Sequence, residues 1–413
     1  MKKSIFTLLF AAFTGFACIA FLQSCKGCGS EEPSDSDPIA EFAESGTYDV
    51  VEGEAPEGGY KIYLDASGSM PGYFTDGLTD YIKIVSGLQG GNEKTKVYFW
   101  GDATREITNL NSTITNGNYK AKASLFQDIF KVMAQDAKTE KALTFLVTDG
   151  IVSNSSSVTK KRTGYTKSDL PLLPGTIQAA LGDSLAVGVF RFEIPFNGAY
   201  WDINNKQKFL QGVKRPIFVF AIGYPYAVSD LKKSLSKKEM ENFTDLNPQQ
   251  LYMGILKDNK NKNFFRDIES NFVINAENSG TELAAGSESF EISVDIPDWI
   301  SELGINPDKD GVISVANSDG DKLKVGKRYR DGTLTVSTTE DCEIDLGHYD
   351  VKFFIAYRPS STWQKYACDD DTAINSDTLC DRTFGLSEIL KGFELATKQP
   401  DTLFISSFKF VRQ

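Results

Sequence analysis

Five short, nearly continuous apolar segments alternate with helical patterns across the first half of the chain. Such segments are typical of strands in a parallel sheet that is covered on both faces. Between them, residues 79–88 and 125–137 carry apolar side chains at helical spacing. The alternation predicts an α/β fold over residues 59–235, with a doubly wound, mostly parallel sheet. The apolar segments are Tyr60–Leu64, Lys96–Trp100, Ala142–Val147, Leu185–Phe190 and Pro216–Ala221.

The second half of the chain has a different pattern. Residues 290–296 alternate apolar and polar side chains, and further strand patterns cover residues 312–315, 333–337, 349–356 and 403–410. Asp-Gly pairs between several of these patterns are typical of tight turns. We therefore predict a β-rich, sandwich-like domain over residues 285–413, interrupted by one helix near Leu386 to Lys398. Residues 236–284 are predicted to be a connecting region with two helical passages, around 249–256 and 263–271.

The N-terminus resembles a bacterial export signal. Lys2 and Lys3 precede an uncharged apolar run from residue 5 to residue 22, and the sequence Leu-Gln-Ser-Cys at 22–25 resembles a lipobox. The resemblance implies a lipoprotein signal peptide over residues 1–24 and lipidation of Cys25; an uncleaved anchor helix is the alternative. Either way the rest of the chain lies outside the cytoplasm, in the cell envelope. A lipid anchor favours the outer membrane, on either face.

Residues 25–58 are rich in Ser, Pro, Gly and acidic side chains, which predicts a flexible acidic tether. Beyond the lipidated residue, an exported chain would keep four cysteines. Cys368 and Cys380 are twelve residues apart, so a local disulfide between them is a reasonable interpretation, although the sequence does not determine the connectivity. The other two, Cys28 and Cys342, would pair with each other or remain free.

Composition excludes several classes of function. The chain has 44 Lys and Arg against 56 Asp and Glu, a net charge of −12, which disfavours binding of nucleic acid through its phosphates. His348 is the single histidine. This argues against a His-rich zinc site, a zinc metalloprotease and most Ser-His or Cys-His nucleophile systems.

Two polar loops follow strands of the predicted sheet. Asp65-Ala66-Ser67-Gly68-Ser69 comes directly after the first apolar segment, and Thr148-Asp149-Gly150 comes after the third. In open α/β sheets, ligands bind at the carboxyl ends of the strands. Carboxylate and hydroxyl oxygens suit Mg²⁺ or Mn²⁺. Two carboxylates do not neutralise and enclose the cation fully, so an open position would attract an anionic oxygen from a partner.

The Asp-x-Ser-x-Ser loop together with the later Thr-Asp-Gly resembles the metal-ion-dependent adhesion site of von Willebrand factor A domains, which have a Rossmann-like fold. The resemblance covers roughly residues 59–235. It implies that Ser67 and Ser69 ligate Mg²⁺ directly, that Asp65 and Asp149 act directly or through water, and that a carboxylate of the ligand completes the shell. The family also supplies a Thr before a helix. Ser124 is the best match to that Thr and suits a helix N-cap equally, with Thr104 as a rival.

The resemblance implies a membrane-tethered envelope lipoprotein that binds Mg²⁺ and captures a protein or an extracellular polymer through an acidic group. A metal-independent or permanently docked scaffold of the envelope is the alternative. A metal-assisted hydrolase is disfavoured, because hydrolysis needs a base beside the metal, for which only Asp76, Asp80 or Asp128 could serve. We therefore predict no enzymatic activity. The aromatic segment at 196–201 is interpreted as core or as a loop staple, with a recognition surface as the alternative.

Overall fold

The structure is a computed structural model. It describes residues 47–101, 104–110, 112, 114, 119, 126–155, 162–164, 170–204, 206–259, 265–267, 272–275, 280–283, 291–296, 300, 303, 305–307, 311–317, 320–338, 347–398 and 402–412. The predicted signal peptide, Cys25, most of the tether and Ser124 lie outside these residues. No described helix is both long enough and apolar enough to cross a membrane.

The first half is organised around a mixed sheet. In chain order, β1 to β11 are Thr47–Val50, Tyr60–Asp65, Lys96–Trp100, Arg105–Glu106, Leu143–Thr148, Ser153–Ser155, Arg162–Gly164, Ala186–Trp201, Gln207–Gly223, Gln249–Met253 and Leu256–Asn259. Seven of these described strands form the sheet, in the order β10-β8-β9-β5-β2-β3-β4. The helices of this half are α1 to α5: Leu78–Gly90, Phe126–Glu140, Leu173–Leu181, Pro225–Ser234 and Glu241–Thr244. The predicted α/β class is confirmed.

Strands β2, β3 and β5 are parallel, as predicted. β2 pairs with β3 on one side and with β5 on the other. Every residue of β2 and of β5 is buried, as a sheet covered by helices on both faces requires. The long crossovers that parallel pairing needs contain α1 and α2. The carboxyl ends of β2 and β5 therefore lie side by side.

The other side of the sheet differs from the predicted, mostly parallel arrangement. β8 and β9 have 16 and 17 residues and form one long antiparallel hairpin, and β9 also runs antiparallel to β5. The two predicted segments, 185–190 and 216–221, lie in β8 and β9, but both strands are much longer than predicted, and the sheet is mixed where a mostly parallel one was expected. The physical reason is the connection: only residues 202–206 separate the two strands, which is too short for a parallel crossover.

Residues before the predicted domain also belong to the fold. β1 pairs antiparallel with β11, with Val50 opposite Leu256. Val50 packs against the main hydrophobic core, and the backbone N–H of Val51 donates to Ile255 O at 2.8 Å. The tether predicted over residues 25–58 therefore does not include residues 47–51, because this segment pairs with β11 and Val50 packs on the core.

The predicted helical connection over residues 236–284 is largely strand. Residues 249–253 and 256–259 form β10 and β11, where a helical passage was expected. β10 adds to the edge of β8, with Leu251 opposite Val189. A short apolar segment can form either a helix or a strand, and here pairing with the edge of the sheet favours the strand.

Two further sheets lie in the second half of the chain. A four-stranded sheet has the order β12-β15-β18-β17, and a five-stranded sheet has the order β13-β14-β22-β19-β16. In chain order, β12 to β22 are Phe265–Asp267, Phe272–Asn275, Gly280–Leu283, Glu291–Asp295, Gly311–Asn317, Val325–Arg330, Thr333–Thr338, Gly347–Ala356, Ala367–Cys368, Thr383–Phe384 and Thr402–Arg412. The predicted strands of this region are confirmed; their arrangement as a sandwich stays a prediction.

The helix predicted near Leu386 to Lys398 exists and packs on the first-half sheet. The short helix α6 is Pro359–Thr362, and α7 is Leu386–Thr397. The Phe393 ring on α7 lies 5.2 Å from Phe130 of α2 and 5.6 Å from Phe220 of β9, measured between centroids. α7 also runs against α3. Residues 359–398 thus extend the core of the first half, across the predicted boundary at residue 285.

Candidate metal centre

The two polar loops meet at the carboxyl edge of the sheet. Asp65 is the last residue of β2, and Asp149 directly follows β5. The strands are parallel neighbours with Leu64 opposite Val147, so their following loops leave the sheet together. The backbone N–H of Ala66 donates to Trp100 O of β3 at 2.8 Å, which fixes the start of the first loop.

Hydrogen bonds connect these loops from one carboxylate to the other. The backbone N–H of Ser67 donates to Asp65 Oδ1 at 2.8 Å. The hydroxyl oxygens of Ser67 and Ser69 are 3.2 Å apart, and the Ser69 hydroxyl donates to Asp149 Oδ2 at 2.5 Å. The backbone N–H of Ile151 donates to Asp149 Oδ1 at 3.1 Å. Four of the five predicted ligands are therefore brought together.

Thr148 joins this network, although the sequence analysis did not select it as a site residue. Its hydroxyl donates to Asp65 Oδ2 at 2.7 Å and accepts the N–H of Gly150 at 3.1 Å. It thereby ties the β5 loop to the β2 loop. The feature of the sequence that could have identified Thr148 is its position directly before Asp149 in the Thr-Asp-Gly segment.

The donors are buried. Asp65 and Asp149 are each 1% exposed, and Ser67 and Ser69 are similarly covered. Buried carboxylates need compensation by hydrogen bonds, by opposite charge or by a metal. Hydroxyls that now donate to carboxylates have oxygen lone pairs, which a hard cation uses. The donor set therefore fits Mg²⁺ or Mn²⁺. No group of three His, Cys, Asp or Glu side chains able to hold a metal ion occurs among the described residues, so a cation here would depend on the hydroxyls as well.

A buried cation, Arg215 of β9, lies next to this network. It is fully buried, its Nη1 donates to Cys380 O at 3.3 Å, and its Cζ lies 4.5 Å from the Tyr200 ring centroid. Desolvation by itself would lower the pKa of Arg215, but its interactions with Tyr73, Tyr200 and Asp149 raise it overall. Arg215 therefore stays charged and partly balances Asp149. Within the described part of the chain, its Nε and Nη2 have no hydrogen-bond partner.

The aromatic segment of β8 packs over the metal loop. A Cβ atom placed on Gly68 would lie 3.4 Å from the Trp201 ring, and one placed on Gly72 would overlap the Phe196 ring. Phe196 and Tyr200 are buried, which confirms their interpretation as core, and Trp201 is half-buried. Gly72 is therefore needed for this close approach, whereas a Cβ atom at position 68 would be in ordinary contact with the Trp201 ring.

Comparison of the chain with models of known protein families gives no match. Comparison with curated proteins and with solved structures gives none either. Function is therefore inferred from the residues of this chain.

The remaining predicted site residues lie elsewhere or outside the described chain. Thr104 is exposed, in contrast to the four buried donors, so the structure does not bring it to the centre. Of the candidate bases, Asp76 and Asp128 are exposed, and Asp80 is half-buried on α1. Ser124, the fifth predicted ligand, lies outside the described residues.

The predicted disulfide between Cys368 and Cys380 is not formed in the structure, where both thiols are free. Cys368 is buried beside Leu170 and Phe384. The Cys380 thiol donates to Asn375 O at 2.7 Å instead. Spacing along the chain cannot show which way two side chains point, and here each thiol has its own surroundings.

Proposed function

We propose that this protein binds Mg²⁺, or Mn²⁺, at the carboxyl edge of its central sheet, and that it captures a partner through an acidic group. The ligands would be Asp65, Ser67, Ser69, Ser124 and Asp149. The observation that carries the proposal is the hydrogen-bonded series of buried oxygen donors that joins the loops after β2 and β5. The cation would supply a positive charge with an open coordination position, which an acidic oxygen of the partner would fill.

The residues of the chain have distinct parts in this proposal. Ser67 and Ser69 offer neutral oxygens, so the two carboxylates leave the ion positively charged toward a ligand. Thr148 orients Asp65 through its hydrogen bond. Arg215, near Asp149, already contributes positive charge. Its charge would offset part of the negative charge of Asp149. The bound cation would then be less fully neutralised, and an anionic group of the partner would complete the balance.

We also propose that residues 59–235 form a von Willebrand factor A domain, followed by a sandwich-like β-rich region. Two features support the first assignment: the Asp-x-Ser-x-Ser loop after β2, and Thr-Asp-Gly after the neighbouring parallel strand β5. The antiparallel β9 departs from the expected parallel sheet. The proposal therefore depends on the metal edge more than on the whole sheet.

The sequence of the first 25 residues supports the proposed location. We place the protein in the cell envelope, lipid-anchored through Cys25 in the outer membrane on either face, with no other membrane contact. Its partner would be a protein or an extracellular polymer. The acidic charge of −12 supports a partner other than nucleic acid.

A metal-independent or permanently docked scaffold of the envelope is the second candidate. The burial of all four described donors favours it, because Trp201 packs against the metal loop where a partner would approach. We propose no enzymatic activity, since the acidic residues that could act as a base are exposed or half-buried and none of them is hydrogen-bonded to the four buried donors in the described structure.

Calorimetry of Mg²⁺ binding to the chain from residue 26 onward tests the proposal. Asp65→Asn and Asp149→Asn should abolish binding, and the exposed control Asp76→Asn should bind like the wild type. Circular dichroism would check the fold of each variant. Capture of envelope components in Mg²⁺ but not in EDTA would then support the adhesion function. Wild-type protein that binds no Mg²⁺ would favour the scaffold, and equal binding by Asp149→Asn would exclude this metal site.

A further inference from the structure

A strongly basic segment crosses the second half of this acidic chain. Residues 322–330 contain five Lys or Arg side chains and no acid. Since the whole chain has a net charge of −12, the remainder carries −17. The segment includes β17 and the three residues before it. An acidic partner that the rest of the chain repels would therefore be attracted here.

Four of the five cations are separated by even numbers of residues. They are Lys322, Lys324, Arg328 and Arg330, all exposed, and we call them the cationic ladder; position 326 between the two pairs is Gly, and only Arg328 and Arg330 lie within β17. Half-buried Leu323, Val325 and Tyr329 lie between them in sequence.

The pairing of β17 with β18 shows which residues of β17 point to the same side of the sheet. Arg328 lies opposite Thr335 and Arg330 opposite Thr333, whereas Tyr329 lies opposite the buried Leu334. The fifth cation, Lys327, is on the side of Tyr329 and donates a hydrogen bond to Gly311 O. Lys327 is exposed as well, but its ammonium group already bonds to the backbone, so it is not part of the ladder.

β17 is at the end of its described sheet, next to β18 only. The outer edge of such a strand presents backbone N–H and C=O groups that another strand can pair with. A single lysine commonly protects an edge from unwanted pairing. Two pairs of cations, at 322 and 324 and at 328 and 330, do more than protect the edge, because they favour an incoming strand with acidic side chains at matching spacing.

The ladder is available for a partner. Among the described residues, Lys322, Lys324 and Arg328 have no ion-pair partner. Arg330 is 3.1 Å from Asp331, but both side chains are more than three-quarters exposed, so this pair contributes little. Asp321 and Asp331 lie at the two ends of the basic segment and would repel an acidic chain that continued past it.

We propose that β17 docks an extended acidic segment of a partner protein as an additional strand. Same-side residues of a strand repeat every two positions, about 7 Å apart, so acidic side chains at every second position of the incoming strand would face the ladder. Opposite charges directly across two strands stabilise the pairing. Backbone hydrogen bonds would supply affinity and the charges would supply specificity. This docking is separate from the proposed metal centre.

Fluorescence anisotropy of labelled nine-residue peptides tests the docking with the chain from residue 26 onward. The probe alternates Thr and Glu, and its control has the same composition with the Glu residues in one block. We expect the alternating peptide to bind in a salt-sensitive way and the block peptide to bind about tenfold more weakly. N-methylation of alternate peptide nitrogens should abolish binding. Binding should persist in EDTA and in Asp149→Asn, which separates this result from the metal proposal.

Substitution of the ladder provides the second arm. The variant K322Q/K324Q/R328Q/R330Q should lose at least about tenfold in affinity. The matched control K131Q/K233Q/K237Q/K238Q removes four exposed cations elsewhere and should bind like the wild type. Unchanged affinity in the ladder variant, equal affinity for the block peptide, or equal binding to anionic phosphatidylglycerol vesicles would each overturn the proposal.

Discussion

Thr148 shows how one side chain holds the candidate metal centre together. Its hydroxyl bonds both to Asp65, which is 83 residues away in sequence, and to the backbone of its own loop. Thr144, earlier on the same strand, is equally buried and donates to Ile222 O at 2.9 Å, away from the centre. Thr144 is therefore a suitable control for Thr148, because it is equally buried but bonds away from the centre.

We expect Thr148→Val to lower the free energy of unfolding by about 1–3 kcal/mol, because Asp65 loses a buried donor. It should also weaken Mg²⁺ binding by about 10–100-fold, because the carboxylate is no longer oriented. Urea denaturation and calorimetry would measure both effects. Thr144→Val should lower stability by a similar amount and leave Mg²⁺ affinity unchanged. Loss of Mg²⁺ binding in both variants would mean that general destabilisation is responsible.

Cys368 and Cys380 provide a second test at the residue scale. Burial raises the pKa of the Cys368 thiol to about 12, and it also raises the pKa of the half-buried Cys380. Since the thiolate is the reactive form, native Cys368 should alkylate very slowly at pH 8 and Cys380 faster. Peptide mass spectrometry would follow the two sites. In denaturant without reductant both should react at once, whereas reaction that requires reductant would show a disulfide.

At the scale of elements, the β8–β9 hairpin positions the metal loop. The 3₁₀ turn Met70–Tyr73 follows Ser69 directly and packs against β8. The Tyr73 hydroxyl donates to Pro216 O at 2.8 Å, and the Tyr73 ring centroid lies 4.8 Å from that of Phe196. The hairpin thus determines where the residues after the metal motif lie.

A glycine substitution tests this contact. A Cβ atom on Gly198 would lie 2.4 Å from the Cα of Gly72, so Gly198→Ala should cost about 1–3 kcal/mol and weaken Mg²⁺ binding by displacing the turn. Gly175 in α3 has nothing within 4 Å of such an atom. Gly175→Ala should therefore raise stability by about 0.5–1 kcal/mol. Thermal denaturation would compare the two, and a neutral Gly198→Ala would contradict the packing.

At the scale of the whole molecule, the C-terminal residues complete the first half. The backbone carbonyls of Cys380 and Asp381 accept hydrogen bonds from the buried Arg215 and Arg191. Asp371 accepts from the Tyr200 hydroxyl and, at 2.7 Å, from the backbone N–H of Ile203. Together with α7, these contacts join residues 366–398 to the β8–β9 hairpin.

We expect the sheet and α7 to unfold together. Phe393→Ala should lower the free energy of unfolding by about 3–5 kcal/mol, because it leaves a cavity between Phe130 and Phe220. Hydrogen exchange should then accelerate in β5 and β9 as well as in α7. Leu395→Ala, at a half-exposed position of the same helix, should change stability by less than about 0.5 kcal/mol. Faster exchange confined to α7 would show that the two regions unfold independently.

Much of the fold and most of the centre follow from local features of the sequence. Apolar runs identify the fully buried strands β2 and β5 and the mostly buried β3, because a strand covered on both faces has few polar side chains. The polar loops at Asp65 and Asp149 follow those strands directly, and parallel neighbours bring such loops to one edge. These predictions needed only residues a few positions apart, together with one general rule of sheet geometry.

The tertiary structure decided what depends on contacts between distant residues. The antiparallel direction of β9, the pairing of β1 with β11 and the docking of α7 each required a partner that the local pattern does not identify. The same is true of Arg215 beside Asp149 and of the separate thiols of Cys368 and Cys380. Local periodicity reports which side of an element is buried, and it contains no information about which distant element buries it.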